Sequence, residues 1–218
     1  MAFNTAKNIL VGASPLYLSV KDSTDNAYVE NMLDGASGGV ALQSGVSAAT
    51  TLDAATTKFR NVGYTNNGLQ ITYNPTYGSV TVDQLLDTAK LFKESMEVMI
   101  ATELAEGTLE NVLAVFGQGS STLSADLASG TDQTLGMAAG ALGIAPTERQ
   151  LVAIGNAPTT VSTKTERVYY GRRVLSVQQS QFTLARNNPT VFPVTFRLLP
   201  DAAYTGKEYG KIIDRVIS

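Results

Sequence analysis

From Phe92 to Leu104 the chain alternates. Phe92, Met96, Val98, Ile100 and Leu104 fall on one side of an extended strand, and Lys93, Ser95, Glu97, Ala101 and Glu103 fall on the other. Glu94 and Met99 are the exceptions. Successive side chains of a strand point to opposite faces, so a period of two marks a strand with one buried face. Thirteen residues at the strand rise span roughly 40 Å. That is long for a small sandwich and natural for the wall of a barrel.

The same period runs through much of the chain. Leu69, Ile71 and Tyr73 oppose Gln70 and Thr72, and Val80 and Val82 oppose Thr81 and Asp83. Asn66-Asn67-Gly68 tolerates positive φ and predicts a hairpin turn between Tyr64 and Leu69. Asn74-Pro75 predicts a second connection, ending near Ser79. Ile9-Leu-Val11 and Leu16-Tyr-Leu-Ser-Val20 read as a first strand broken around Gly12 and Pro15. Gln150-Leu-Val-Ala-Ile154, Arg167-Val-Tyr-Tyr170, Val174-Leu-Ser-Val177 and Lys211-Ile-Ile-Asp-Arg-Val216 are further strand candidates. Phe192, Val194, Phe196 and Leu198 alternate with Pro193, Thr195 and Arg197.

One helix stands out. Thr108 is a candidate N-cap, Leu109, Val112, Leu113 and Phe116 follow helical spacing, Glu110 suits the first turn, and Gly117 supplies the stop. Residues 21–58 are rich in Ser, Thr, Ala, Gly, Asn and Asp and show no sustained period. They read as a long loop, either ordered by a partner or a disordered insertion. Residues 118–147 form a second irregular insertion. The expected fold is a single mainly-β domain over residues 1–218, a β-sandwich or partly closed barrel with one flanking α-helix.

Composition limits the chemistry. The 218 residues include no cysteine and no histidine. Thiol catalysis, zinc–thiolate sites, the Ser-His-Asp triad and the commonest metal ligand are therefore unavailable. Sixteen basic residues stand against nineteen acidic ones, which argues against a general phosphate-binding surface. Met1-Ala-Phe-Asn-Thr-Ala-Lys7 does not read as a secretory signal, and the apolar runs fall far short of a membrane span. Charged residues make up only 16%. Such a chain either hides surface against other chains or is a neutral monomer.

The remaining motifs are weak. Gly117-Gln-Gly119 follows a helix, where a dinucleotide loop would sit between a strand and a helix. Asp22-Ser-Thr-Asp25-Asn26 lacks the glycine and the later glutamate of an EF-hand loop. Asp83, Asp87, Glu94, Glu97, Glu103, Glu106 and Glu110 face only Lys90 and Lys93 within their stretch. A glycoside-hydrolysing pair would need an aromatic-lined cleft, and the chain has no tryptophan. A solvated strand face and an acidic surface both remain open for these carboxylates. Arg167, Arg172 and Arg173 lie near Tyr169 and Tyr170, but the RNP spacing is missing. Strand-edge charges or intersubunit ion pairs suit them better.

Val62-Gly-Tyr-Thr65, Gly68-Leu-Gln-Ile-Thr-Tyr73, Val82-Asp-Gln84 and Ala105-Glu-Gly-Thr-Leu-Glu-Asn111 resemble the major tail tube proteins of long-tailed bacteriophages. Arg167-Val-Tyr-Tyr-Gly-Arg-Arg173 and Phe192-Pro-Val-Thr-Phe-Arg-Leu198, followed by Asp201, resemble that family's C-terminal strands. The resemblance covers residues 60–118 and 148–216 and leaves residues 21–58 unmatched. It implies a virion structural protein, assembled in the bacterial cytoplasm, whose hexameric rings complete a β-barrel and stack into a tube that conducts DNA. Tape measure, terminator and baseplate or distal tail proteins would be its partners, DNA would pass without sticking, and no membrane contact, cofactor, metal or catalytic residue is expected. On this resemblance Asp83, Glu97 and Glu103 are the candidate lumen acids. Gly35, Gly45, Asn74, Pro75 and Asp87 mark candidate ring-stacking or intersubunit segments. Rival readings are another ring-forming tail or contractile-injection tube protein, a β-sandwich adhesin or binding module, and, third, a hydrolase.

Overall fold

The computed structural model describes residues 12, 14–20, 33, 40–55, 58–85, 87–124, 132–139, 142, 147–158 and 165–217. In chain order the elements are β1 (Leu16–Ser19), α1 (Ala48–Ala54), β2 (Phe59–Asn61), β3 (Thr65–Val80), β4 (Lys90–Leu104), α2 (Leu109–Val115), β5 (Arg149–Asn156), β6 (Thr165–Ser176), β7 (Phe192–Leu198) and β8 (Gly210–Val216). The eight strands form one antiparallel sheet in the order β2-β1-β5-β6-β7-β4-β3, with β8 paired to β6 off that path. The sheet does not close on itself.

β6 is the spine. One edge takes β5. The other edge is used twice, by β8 opposite residues 165–171 and by β7 opposite residues 174–176. β7 and β8 therefore follow one another along the same edge, separated by the excursion 199–209. Arg172, only 1% exposed, anchors that excursion. Its guanidinium lies 3.9 Å from the Tyr204 ring centroid, and its Nε donates to the Lys207 carbonyl at 3.0 Å. A cation held against a ring and out of water is strongly attracted to it.

The alternation read from sequence sets which side is buried. Val98, Ile100 and Leu104 of β4 join Phe192, Val194, Phe196 and Leu198 of β7, Leu16 and Leu18 of β1, and Ala114 and Val115 of α2 in one core. The opposite face of β1, β5 and β6 contributes Tyr17, Val152, Ile154, Val168 and Tyr170 to a second core. Ala48 and Leu52 of α1 cover it. Each helix thus seals a different face.

α2 forms as its caps dictate. The Thr108 side chain accepts from the Asn111 N–H at 3.3 Å. Gly117 (φ 64°) turns the chain in the left-handed region that glycine adopts without strain. Its N–H donates to the Ala114 carbonyl and that of Gln118 to the Leu113 carbonyl, the paired bonds of a Schellman stop. The buried face is Asn111, Leu113, Ala114 and Val115. Phe116 is instead the C-cap, because the helix is only seven residues long.

Several expectations are corrected. Among the described residues there are two α-helices, not one, and α1 lies inside the stretch read as a loop. Asn66-Asn67-Gly68 is not a hairpin turn. Asn67 (φ 58°) and Gly68 (φ 69°) do take positive φ, but as a bulge that shifts register between Asn66 and Gln70 within β3. Thr102 Oγ1 donates to the Gly68 carbonyl at 2.8 Å and fixes it. Asn74-Pro75 is strand, not connection. β3 is the outermost strand, where a residue lacking an N–H is tolerated. The chain turns later, at residues 81–89, so Val80-Thr-Val-Asp-Gln84 ends a strand instead of forming one. The candidates at Arg167–Tyr170 and Val174–Val177 merge into β6. Ile9-Leu-Val11 and Asp22-Ser-Thr-Asp25-Asn26 lie outside the described residues.

α1 is held by a buried carboxylate. Glu166 Oε1 accepts from the Ala48 N–H at 2.8 Å and from Arg215 Nη1 at 3.0 Å, and Oε2 accepts from Ser47 Oγ at 2.8 Å. Arg215 also donates to the Gln43 carbonyl. Glu166 and Arg215 side chains are 5% and 11% exposed. Removing one partner of such a pair strands the other charge, so Glu166→Ala should lower unfolding free energy by ~3 kcal/mol in urea titrations. Tyr17 ties the far end of α1, donating its hydroxyl to Asp53 at 2.9 Å. Burial, reinforced by that bond and the Asp53 charge, pushes the hydroxyl from 10.0 up to about 12. The folded state holds this proton more tightly than the unfolded chain, so the sheet–α1 contact is intact below pH 10 and weakens as pH rises towards 12. Tyr17→Phe should flatten that part of the stability–pH curve relative to the parent protein.

Candidate functional site

β4 leaves the sheet halfway along its length. Residues 98–104 pair with β7 on one edge and β3 on the other. Residues 90–97 pair with β3 alone. Beyond Val98 the two strands form a free ribbon closed by the turn at residues 81–89, where Ala89 N donates to the Val80 carbonyl at 2.8 Å and Leu85 N to the Val82 carbonyl at 3.1 Å. Eight residues at the strand rise give an arm of roughly 27 Å. Its apolar side chains stand in water: Tyr77 (58% exposed), Leu85 (57%), Leu91 (64%) and Phe92 (45%). A two-stranded ribbon without a covered face is marginal by itself, and contiguous exposed apolar surface marks an interaction site.

The register places the arm beside β8. β4 follows β7 past Leu198, and β8 takes over the β6 edge just there. β4 and β8 do not pair; they diverge and leave a groove of about 480 Å³. Ile71 and Tyr73 of β3, Ile100 of β4, and Tyr209, Lys211 and Ile212 at β8 are among its lining residues. Tyr209 Oη donates across the opening to the Met96 carbonyl at 3.2 Å. Lys211 lies over the Tyr170 ring at 6.0 Å.

The predicted acids do not form one cluster. Glu97 and Glu103 share one face of β4, whose neighbours Ala101 and Met99 pair with Thr195 and Arg197 of β7. Glu97 meets Arg197 at 3.5 Å, and Glu103 accepts from Asn66 Nδ2 at 2.9 Å. Asp83 belongs to the arm turn, away from both. Of the stacking candidates, Asn74 pairs with Glu97 and Pro75 with Met96 at the root of the arm. Asp87 lies in its turn and accepts from the Thr88 N–H at 2.6 Å. Gly45 bridges to Ile217 at the end of β8, and Gly35 lies outside the described residues.

Arg197 and the β8 groove residues escaped the sequence reading. Only register brings Arg197 to Glu97. Adjacent Ile212 and Ile213 were the available signal at β8, since neighbouring apolar residues place one on each face; Ile213 packs on the second core and Ile212 is 64% exposed. The Arg167–Asp214 pair across β6 and β8 has bonds of 2.5 and 2.7 Å. Its hydrogen bonds hold the Asp214 carboxyl below the usual carboxylate range. Among the described residues no three His, Cys, Asp or Glu side chains group to hold a metal. No helix among them is long and apolar enough to cross a membrane.

No protein-family model matches the chain, and no curated protein matches it. The arm itself is testable in isolation. In dilute protein, amides of residues 90–97 should exchange with solvent about tenfold or more faster than those of residues 98–104, measured by native-state hydrogen exchange. Equal protection would show that the arm is covered.

Proposed function

We propose that this chain is a structural subunit of a phage tail tube, which forms hexameric rings that complete a shared β-barrel and stack into a DNA-conducting tube. The observation that carries the reading is the arm, a long ribbon whose apolar residues a lone subunit leaves in water. Among the described residues β2 and β3 end the sheet, which supports it, since ring closure between copies removes unpaired edges. The resemblance of residues 60–118 and 148–216 to tail tube proteins gives the assembly its name.

Within this reading the polar face of β3, β4 and β7, beside which Gln178, Gln179 and Ser180 lie, is the candidate bore. It carries Gln70, Thr72, Glu97, Glu103 and Thr195, with no basic residue but Arg197 along the paired segment 98–104 and its β7 partners. Arg197 offsets Glu97. Glu103 is therefore the residue whose charge, repeated around a ring and focused by a low-dielectric wall, repels phosphate. Asp83, on the arm, contributes to stacking contacts instead.

Negative-stain microscopy of concentrated protein should show tubes or sixfold rings; a monodisperse monomer at the same concentration would count against the reading. Virions carrying Glu103→Lys should assemble tails of normal length yet eject DNA several-fold more slowly in vitro. Unchanged ejection would remove Glu103 from the bore.

A further inference from the structure

We propose that Asn67-Gly68 is a self-modifying site, at which the folded chain converts an amide into a carboxylate beside Glu103. The chemistry stands by itself; only its effect on a bore rests on the tube reading.

Asn67 is the one asparagine of the chain that a glycine follows. The backbone nitrogen after an asparagine can reach the side-chain amide carbon and close a five-membered ring. A side chain on the following residue crowds that approach, and glycine has none. The fold leaves this pair open. Register passes from Asn66 opposite Glu103 to Gln70 opposite Ala101, so Asn67, Gly68 and Leu69 have only Thr102 across from them. In a regular strand the ladder holds each nitrogen in place; at this bulge the register partners are missing. Asn67 (φ 58°) and Gly68 (φ 69°) are both left-handed and both exposed. A Cβ on Gly68 would meet nothing within 4 Å. The Asn67 side chain makes no hydrogen bond among the described residues, whereas Asn66 Nδ2 is engaged by Glu103. Thr102 holds the Gly68 carbonyl, which belongs to the peptide after the glycine and not to the one that reacts.

The step needs only water. Solvent hydroxide takes the proton from the Gly68 nitrogen, and that nitrogen bonds to Asn67 Cγ. The Cγ–Nδ2 bond breaks, and the amide nitrogen leaves as ammonia with a proton from water. Water then opens the ring, and the carbon it attacks gives up its bond to the Gly68 nitrogen. Attack at Cγ leaves an isoaspartate-free branch point and would cut the new bond, so the main chain keeps its length and the side chain ends as an aspartate. Attack at the residue 67 carbonyl carbon leaves an isoaspartate, with one more atom in the main chain. A bulge that already sets three residues against one can absorb that atom.

Either product carries a charge where a neutral amide stood. Asn67 and Glu103 line one pocket of about 280 Å³ with Gln70, Gln178 and Thr195, and no basic residue lines it. The new charge adds to that of Glu103. On the tube reading each copy's share of the bore therefore grows more acidic as the protein ages.

The test uses the full chain, held for days in mildly alkaline buffer and followed by peptide mapping with mass spectrometry. Asn67 should convert at least about tenfold faster than Asn66 and Asn187, which are also exposed. Aspartate and isoaspartate should both form, each taking one oxygen from heavy-oxygen water. The rate in the folded chain should lie within about threefold of that in chain unfolded by guanidinium, as local openness requires. A folded rate lower by about tenfold or more, aspartate as the sole product, or equal conversion at Asn66 and Asn187 overturns the proposal. Tubes without conversion sink this site and leave the tube reading standing. Conversion in a protein that forms neither rings nor tubes supports the site and sinks the tube reading.

Discussion

A strand edge offers a single row of backbone donors and acceptors, and the outer edge of β6 divides its row between two partners. β8 occupies residues 165–171 and β7 residues 174–176. Everything distinctive about the molecule follows from that division. β4 pairs with β7 and has nothing to pair with once β7 ends at Leu198. It continues with β3 alone, as an arm. The space it vacates beside β8 becomes the groove. The division depends in turn on the excursion 199–209, pinned by Arg172 against Tyr204 and by Arg173, whose guanidinium bonds Glu148 at 2.6 and 2.8 Å and the Pro200 carbonyl at 3.2 Å. Buried and half-buried cations thus do the positioning that turn residues do elsewhere.

The strands were largely legible because their burial is one-sided. β7 and the half of β4 from Val98 to Leu104 alternate in sequence as they alternate in space, whereas residues 90–95, Phe92 included, are exposed on both faces, and the α2 caps read correctly from Thr108 and Gly117. Turns were less legible. Asn66-Asn67-Gly68 signals positive φ whether it closes a hairpin or sits in a bulge; the choice is made by Thr102, more than thirty residues away. α1 was not legible at all. Only Ala48 and Leu52 of its seven residues are buried, too few to show a period, and its N-terminus is held by Glu166 from β6. Local sequence carries no trace of such a partner.

The carboxylates show the same limit at the site. Counting acids between Asp83 and Glu110 suggests an acidic surface. Geometry distributes them: Asp83 and Asp87 in the arm turn, Glu97 against Arg197, Glu106 accepting the Tyr64 N–H at 2.9 Å, and Glu110 accepting from Gln133. Arg197 offsets Glu97, whereas the neutral donors at Glu103, Glu106 and Glu110 leave those carboxylates charged, so geometry scatters the acids without removing their field. Exposed ion pairs such as Glu97–Arg197 contribute little to stability, but they do cancel charge. On the tube reading such a wall would keep the charge of Glu103 and hold no clustered cations, and both suit passage of DNA.

The energetics of the arm limit what any one contact can supply. Burying a large apolar side chain yields about 1.5–3 kcal/mol, and the turn of the arm exposes Val80, Val82 and Leu85. Association costs about 4–15 kcal/mol in lost freedom. Covering one such turn by itself would therefore gain little beyond that cost. Under the tube reading, copies already held side by side would make further contacts without the full loss of association entropy, so a contact weak by itself would become strong when repeated.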